Sequence, residues 1–313
     1  MAQAEASLSV GYDQRRRCTQ LLDSFAQPPL QWLFPTDDSF GLRATLVQLG
    51  GILQGDRYRV RLDLHERAAL RLTTQAATKL YRMPQQMAKQ KMEVRLGDGA
   101  FFCYLPEEVI PFAESNFEQR IDVHLGKGAR AVLWEILTPG RSGIHEYFRY
   151  RRYQTRMHVW ESGSDTPILW ENQVFCPKKA PLDNAAAFGS ATHLGSFWFL
   201  TQPPDEACAL FKQEAERLLA AANPLPRPYA FADQTAEDLP FFHETHASLL
   251  EGRAISQETA DRTSPFSPLY GGPLYGGATL LPAGILIRVL GSATAPIHSL
   301  FAQLLEWLKK SIG

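Results

Sequence analysis

From Arg57 to His65 apolar and polar residues alternate without a break: Tyr58, Val60, Leu62 and Leu64 against Arg57, Arg59, Arg61, Asp63 and His65. That period of two is the mark of a strand with one buried face. Its second half recurs as Leu62-x-Leu64-x-x-x-Ala68, Val94-x-Leu96-x-x-x-Ala100 and Val123-x-Leu125-x-x-x-Ala129, with starts 32 and 29 residues apart. The pattern predicts a strand, a tight turn and a return strand used three times. In the second and third copies the turns are Gly97-Asp98-Gly99 and Gly126-Lys127-Gly128, where glycine supplies backbone angles that a side chain makes costly. Each copy leaves an apolar face uncovered, so the copies should stack. The unequal period argues for layered, coil-like β structure over a strict array.

Further strands are expected at Met157 to Trp160 and Ile168 to Phe175, joined across Ser162-Gly163-Ser164-Asp165, then at His193 to Leu200 and Ala278 to Leu290. Two stretches carry helical periodicity instead. From Pro204 to Ala222 the residues Ala207, Leu210, Phe211, Ala215, Leu218, Leu219 and Ala222 share one face, and Asp205 and Glu206 suit the first turn. From Pro296 to Lys310 the stripe is Ile297, Leu300, Phe301, Leu304, Leu305 and Leu308, with Lys309 and Lys310 at the end where the helix dipole favours cations. Between them Asn223 to Gly277 is rich in proline and glycine and closes on a tandem Pro-Leu-Tyr-Gly-Gly, a stretch long enough to be functional or mobile. The expectation is one mostly β domain over residues 1–313, with a strand core at about 28–200. A helix, an irregular segment, a strand and a C-terminal helix follow at 203–313.

The 313 residues, 45% hydrophobic and 21% charged, suit a folded globular chain. With 32 Lys plus Arg against 33 Asp plus Glu, the net charge of -1 gives no general attraction to nucleic acid or anionic lipid. The start of the chain lacks the apolar core of a secretory signal, and the most apolar stretch, Leu280 to Leu290, is too short to span a bilayer. A cytoplasmic location with no nucleic-acid or membrane partner is the expectation. Cys18, Cys103, Cys176 and Cys208 are scattered, against a zinc ribbon or a disulfide framework.

Catalytic motifs are sparse. His243-Glu244-Thr245-His246 spaces its histidines at i, i+3, where a zincin places them at i, i+4. A metal-dependent hydrolase using His243, Glu244 and His246 is one alternative function; a carbohydrate-binding β protein using Tyr270 and Tyr275 is another. Gly50-Gly51-Ile52-Leu53-Gln54-Gly55-Asp56 has the glycines of a phosphate loop but lacks its Lys-Ser/Thr and leads into a strand. Its physical content is a turn that delivers Asp56 to cap nearby amides. Glu135, Glu146 and Glu171 stand in or beside apolar segments, where a carboxylate must be paired, hydrated or metal-bound. A salt bridge, most simply with Arg141, is the plain structural reading.

An ordered series of motifs resembles one family. It runs through Gly50 to Asp56, then Leu72-Thr73-Thr74-Gln75-Ala76-Ala77-Thr78-Lys79-Leu80-Tyr81-Arg82 and Leu105-Pro106-Glu107-Glu108-Val109-Ile110-Pro111-Phe112. Trp134-Glu135-Ile136-Leu137, Gly140-Arg141 and Glu146 complete it. Together they are similar to urease accessory proteins of the UreD (UreH) type. The resemblance covers residues 29–171, then His193 to Leu200 and Gly277 onward, and Thr74 to Lys79 is its most diagnostic piece. Departures are Gln54 for a third glycine, His145 before Glu146, an abbreviated N-terminal part and an expanded Asn223 to Gly277.

The resemblance implies stacked strands in a β-helix-like layered arrangement with a couple of helices. It implies a non-catalytic scaffold that docks on apo-urease and recruits a UreF-like helical protein and a UreG-like GTPase. It further implies transient nickel with no tightly bound cofactor. Asp56, Glu135 and Glu171 match positions associated with nickel transfer, and Glu146 matches the acid of a Gly-Glu element. Sparse carboxylates suit a cation that must move on, since histidine or thiolate sites would hold nickel too firmly. On this reading Asp56→Ala or Glu171→Ala leaves folding and complex formation intact and lowers the nickel content of the urease produced, and metal analysis of that urease checks it.

Overall fold

A computed structural model describes residues 1–184, 186–204, 206–223 and 273–312. Its strands are β1 (Gln3–Asp13), β2 (Cys18–Ala26), β3 (Leu30–Asp38), β4 (Gly41–Gln48), β5 (Arg57–Leu64), β6 (Ala69–Thr74), β7 (Thr78–Leu80), β8 (Ala88–Leu96), β9 (Phe101–Leu105) and β10 (Val109–Pro111). They continue with β11 (Asn116–Leu125), β12 (Arg130–Leu137), β13 (Arg152–Glu161), β14 (Leu169–Phe175), β15 (His193–Thr201), β16 (Tyr275–Leu281) and β17 (Gly284–Gly291). The helices are α1 (Glu206–Ala222) and α2 (Thr294–Ile312). The architecture is the mostly β, coil-like stack with two helices near the C-terminus that the sequence implied.

Two sheets face each other. The first has the order β14-β13-β11-β8-β5-β1-β2, and the second runs β16-β17-β15-β12-β9-β6-β4-β3. From β5 to β13 the long strands alternate between the sheets, so each circuit lays a strand parallel to the one below it. The repeated motif is therefore an arch between sheets, since the return strand after each turn joins the opposite sheet instead of pairing back as a hairpin. The three copies stack in register: Leu62 pairs with Val94 and Val94 with Val123, and Ala68, Ala100 and Ala129 are buried at the turns.

The turns stack as tightly as the strands. A Cβ on Gly126 would lie 2.7 Å from the Gly97 carbonyl carbon, and Asp98 Oδ1 accepts the Lys127 amide at 2.8 Å. Between the sheets lies a continuous apolar core, from Leu8, Leu62 and Val94 to Leu133 and Trp198. The outer face of the second sheet carries the helices: Cys208, Phe211 and Ala215 of α1, with Ile297, Phe301 and Leu304 of α2, pack on Val132, Phe197 and Phe199. Gly195 permits this, because a Cβ there would stand 2.5 Å from Ile297 Cγ2.

Three boundaries differ from the sequence reading. Strands begin at Gln3, ahead of residue 28, because Ala4, Ala6, Leu8 and Val10 alternate inward and β1 pairs parallel with β5. The expected strand Ala278 to Leu290 is a hairpin, broken where Gly284 takes φ +129°. Leu210 is exposed, and Cys208 takes its place on the buried face of α1. Gly126→Ala is expected to lower stability by about 1–3 kcal/mol through overpacking of the stacked turns. Gly143→Ala, with open space around it, should stay within about 0.5 kcal/mol in the same denaturant melts.

Candidate functional site: a polar file between the sheets

Because β1, β5, β8, β11, β13 and β14 pair in register, each level of the first sheet's inner face is a row of stacked side chains. One level reads Leu8, Leu62, Val94, Val123, Val159 and Leu169. Another reads Tyr58, Gln90, Gln119, Thr155 and Gln173, a polar row inside an otherwise apolar layer. The second sheet answers it with Glu135, Ser196 and Arg288, paired across β12, β15 and β17. Two links join the rows across the interior. Gln119 Nε2 donates to Glu135 Oε2 at 2.7 Å. Gln173, with its amide turned to suit its neighbours, accepts from Arg288 Nη2 at 2.8 Å and Nε at 3.0 Å.

Asp56 stands at one end of this file. The Gly50 to Gly55 turn brings its carboxylate inward, where it accepts the amides of Ala2 (2.8 Å) and Leu53 (2.9 Å) and the Tyr58 hydroxyl (2.8 Å). This is the amide cap read from the sequence. Burial, reinforced by Asp56, pushes the Tyr58 hydroxyl well above the usual phenol range. Next to Tyr58 along the row, a small cavity of about 50 Å³, open toward the surface past Gln75 and Ala76, is lined by Gln48, Thr74, Gln75, Gln90 and Tyr104. A water molecule needs only about 10–15 Å³ by this measure, so the cavity has room for several. Gln48 Nε2 is buried without a hydrogen-bond partner among the described residues. Thr74 to Thr78 of the diagnostic segment thus form one wall of the cavity.

Glu135 lies in the middle, facing between the sheets and 7% exposed. Gln119 is its one hydrogen-bond donor within bonding geometry among the described residues, and the buried Tyr153 hydroxyl faces it without reaching that geometry. Burial raises the carboxyl to about 7 and nearby Glu171 adds to the rise, while Tyr153, Gln119 and Thr155 oppose it. Glu171 closes the file near the surface. Trp198 Nε1 donates to its Oε2 at 2.7 Å and Arg288 pairs with its Oε1.

Glu146 stands apart, in the loop after β12. Its Oε1 accepts the Ala113 amide (2.8 Å) and Arg141 Nε (2.9 Å), and Arg141 holds its carboxyl below the usual range. Gly140 takes φ +137° there, and a Cβ at this position would run into the Glu146 carbonyl oxygen, so both the turn and the close approach need glycine. This acid pins the loop, as the Arg141 pairing read from the sequence suggested. The structure therefore brings Asp56, Glu135 and Glu171 onto one polar file and leaves Glu146 outside it. The glutamines, Tyr58 and Arg288 of that file were missed because no single residue marks it; the signal is polar residues recurring at one level of successive coils. His243, Glu244, His246 and Tyr270 lie outside the described residues, and Tyr275 is exposed at the start of β16.

A two-sheet coil with a polar file through its interior and helices on the outer face of its second sheet defines a class of layered β protein. Comparison with known proteins carries this further. Residues 4–313 match the family model described as UreD urease accessory protein. A urease accessory protein UreD of Acetivibrio thermocellus is 32% identical over 192 residues, 60% of this chain and 72% of that protein. A UreD 2 of Brucella canis is 25% identical over 316 residues, covering 98% of this chain and 87% of the other. A UreH of Helicobacter pylori is 26% identical over 180 residues, 56% and 66% of the respective chains. The chain belongs to the UreD urease accessory protein family.

The raised carboxyl of Glu135 gives a signed prediction. A folded value of about 7 against the ordinary 4.5 means the folded state holds this proton more tightly than the unfolded chain. The stability it contributes is complete below pH 4.5 and is lost as pH rises to about 7. Glu135→Gln should abolish that loss, making the variant more stable than the parent at pH 8 by up to about 3 kcal/mol and little different at pH 4.5, read from paired denaturant melts. Asp56→Ala, which orphans two amides and a hydroxyl, should destabilise by about 2–4 kcal/mol in the same assay, unlike the intact fold expected from sequence.

Proposed function

We propose that this chain is a non-catalytic accessory scaffold for urease maturation. It docks on apo-urease, recruits a UreF-like helical protein and a UreG-like GTPase, and offers nickel a route between its sheets. Membership of the UreD family supports the accessory role. The observation that supports the route is the polar file running from Asp56 past Glu135 to Glu171. No described helix is long and apolar enough to cross a membrane, which fits the proposed working place beside urease in the cytoplasm.

The chemistry of the file divides its acids by task. Asp56 and Glu171 are engaged by donors of the chain itself, so they shape the two ends. Glu135 has one carboxylate oxygen, Oε1, that takes no hydrogen bond among the described residues. With its carboxyl raised to about 7 and so partly protonated near neutrality, it gives up that proton when a divalent cation binds and takes it back when the ion leaves. Metal binding at carboxylates is coupled to proton release in this way. One carboxylate with amides, hydroxyls and water is a shallow stop for nickel, which nitrogen and sulfur ligands hold more tightly. Shallow successive stops permit throughput, as in ion channels.

The test is urease activation in cells co-expressing the structural subunits and all accessory proteins, with this chain as parent or Glu135→Gln. The variant is expected to co-purify with the partners in parental yield while nickel per urease falls several-fold. Parental nickel content would remove Glu135 from the route, and failure of the parent to capture apo-urease or a UreF-like partner would overturn the scaffold role.

A further inference from the structure

We propose that Glu107, Glu108 and His298 form an exchangeable site for a divalent transition-metal ion on the outside of the second sheet. These residues take no part in the polar file, and the inference stands whether or not nickel travels between the sheets. The two glutamates follow β9, and their backbone is fixed on both sides. The Glu107 amide donates to Thr74 Oγ1 at 2.9 Å, the Glu108 carbonyl accepts the Thr78 amide at 2.8 Å, and the Pro106 carbonyl accepts Trp134 Nε1 at 2.9 Å. His298 comes from the second turn of α2, whose buried stripe fixes that helix on the sheet. Its ring meets Trp134 edge-on at 6.0 Å, and Trp134 stacks on Phe301 at 5.8 Å.

The donor spacing is that of a shared ion. His298 Nε2 lies 3.9 Å from a carboxylate oxygen of Glu107 and 3.9 Å from one of Glu108, and all three donor atoms fall within 4.8 Å of one another. Those separations exceed a hydrogen bond. Donors bonded to one first-row ion at about 2.0–2.2 Å lie about 3–4 Å apart, so a small contraction closes the set. Adjacent carboxylates repel each other, and a divalent charge between them removes that cost. One imidazole with two carboxylates favours borderline ions such as nickel, zinc or cobalt over calcium and magnesium. Three protein donors leave coordination positions open, and Glu107 is half exposed, so the ion enters and leaves from solvent.

The experiment is calorimetric titration of the purified full-length chain with nickel chloride and, separately, calcium chloride. One nickel ion per chain is expected, with affinity falling at least tenfold in His298→Gln and in Glu107→Gln, and unchanged in Glu216→Gln on the exposed face of α1. Cobalt added in place of nickel should give a visible absorption band that His298→Gln loses. Parental affinity in both ligand variants, absence of nickel binding by the parent, or calcium bound as tightly as nickel would overturn the proposal. Glu107 is exposed enough that its variant keeps the fold, which leaves the site testable should His298→Gln disturb α2.

Discussion

Parallel stacking in register governs this molecule. When a strand of one coil lies directly on its equivalent in the next, every side chain faces a neighbour at its own level, and chemistry introduced in one coil is felt in the next. Leucine and valine at a level build an apolar row that needs nothing further. A polar residue at a level leaves donors and acceptors inside the core, each costing about 1–3 kcal/mol if unmet. The row Tyr58, Gln90, Gln119, Thr155 and Gln173 gathers such groups at one level of five strands, and its partners come from outside the row: Asp56 for Tyr58, Glu135 for Gln119 and Arg288 for Gln173. The file between the sheets is thus a product of coil geometry as much as of any individual side chain.

Against that background the three interior acids are unlike one another for reasons that can be named. Asp56 is saturated by two amides and a hydroxyl, and Glu171 by an indole and a guanidinium. Glu135 has one amide donor and a surrounding of buried tyrosines. Desolvation outweighs the opposing hydroxyl and amide groups of Tyr153, Gln119 and Thr155, and its carboxyl is raised to about 7. A group of that kind is a poor structural element and a reasonable temporary partner for a cation. In the proposed route that burial serves transport, at a cost to stability.

Much of this was legible in the chain. The Leu62, Val94 and Val123 repeats announced the stacked coils, and the Gly-x-Gly turns announced where the chain crosses between sheets, although the crossing resembled a hairpin. The Ile297 to Leu308 stripe survived intact on α2. β1 was hidden because two of its four inward residues are alanine, which carries little apolar signal, and the hairpin of β16 and β17 was hidden by a continuous apolar run that a single strand would also produce. Among the acids, the sequence could place Asp56 at a turn and Glu146 beside Arg141, because those partners are near in the chain. It could not show Gln119 beneath Glu135 or Arg288 beside Glu171, since those contacts span 16 and 117 residues and exist only once the coils and the C-terminal strands are assembled.

The proposed route carries nickel between the two sheets and not around them. Anomalous scattering at the nickel edge, from crystals of the accessory complex grown with the metal, tests it most directly. The account requires a nickel peak in the interior within bonding distance of the Glu135 carboxylate. Nickel found solely on outer surfaces, with the space between Gln119, Glu135 and Tyr153 free of it, would contradict the account.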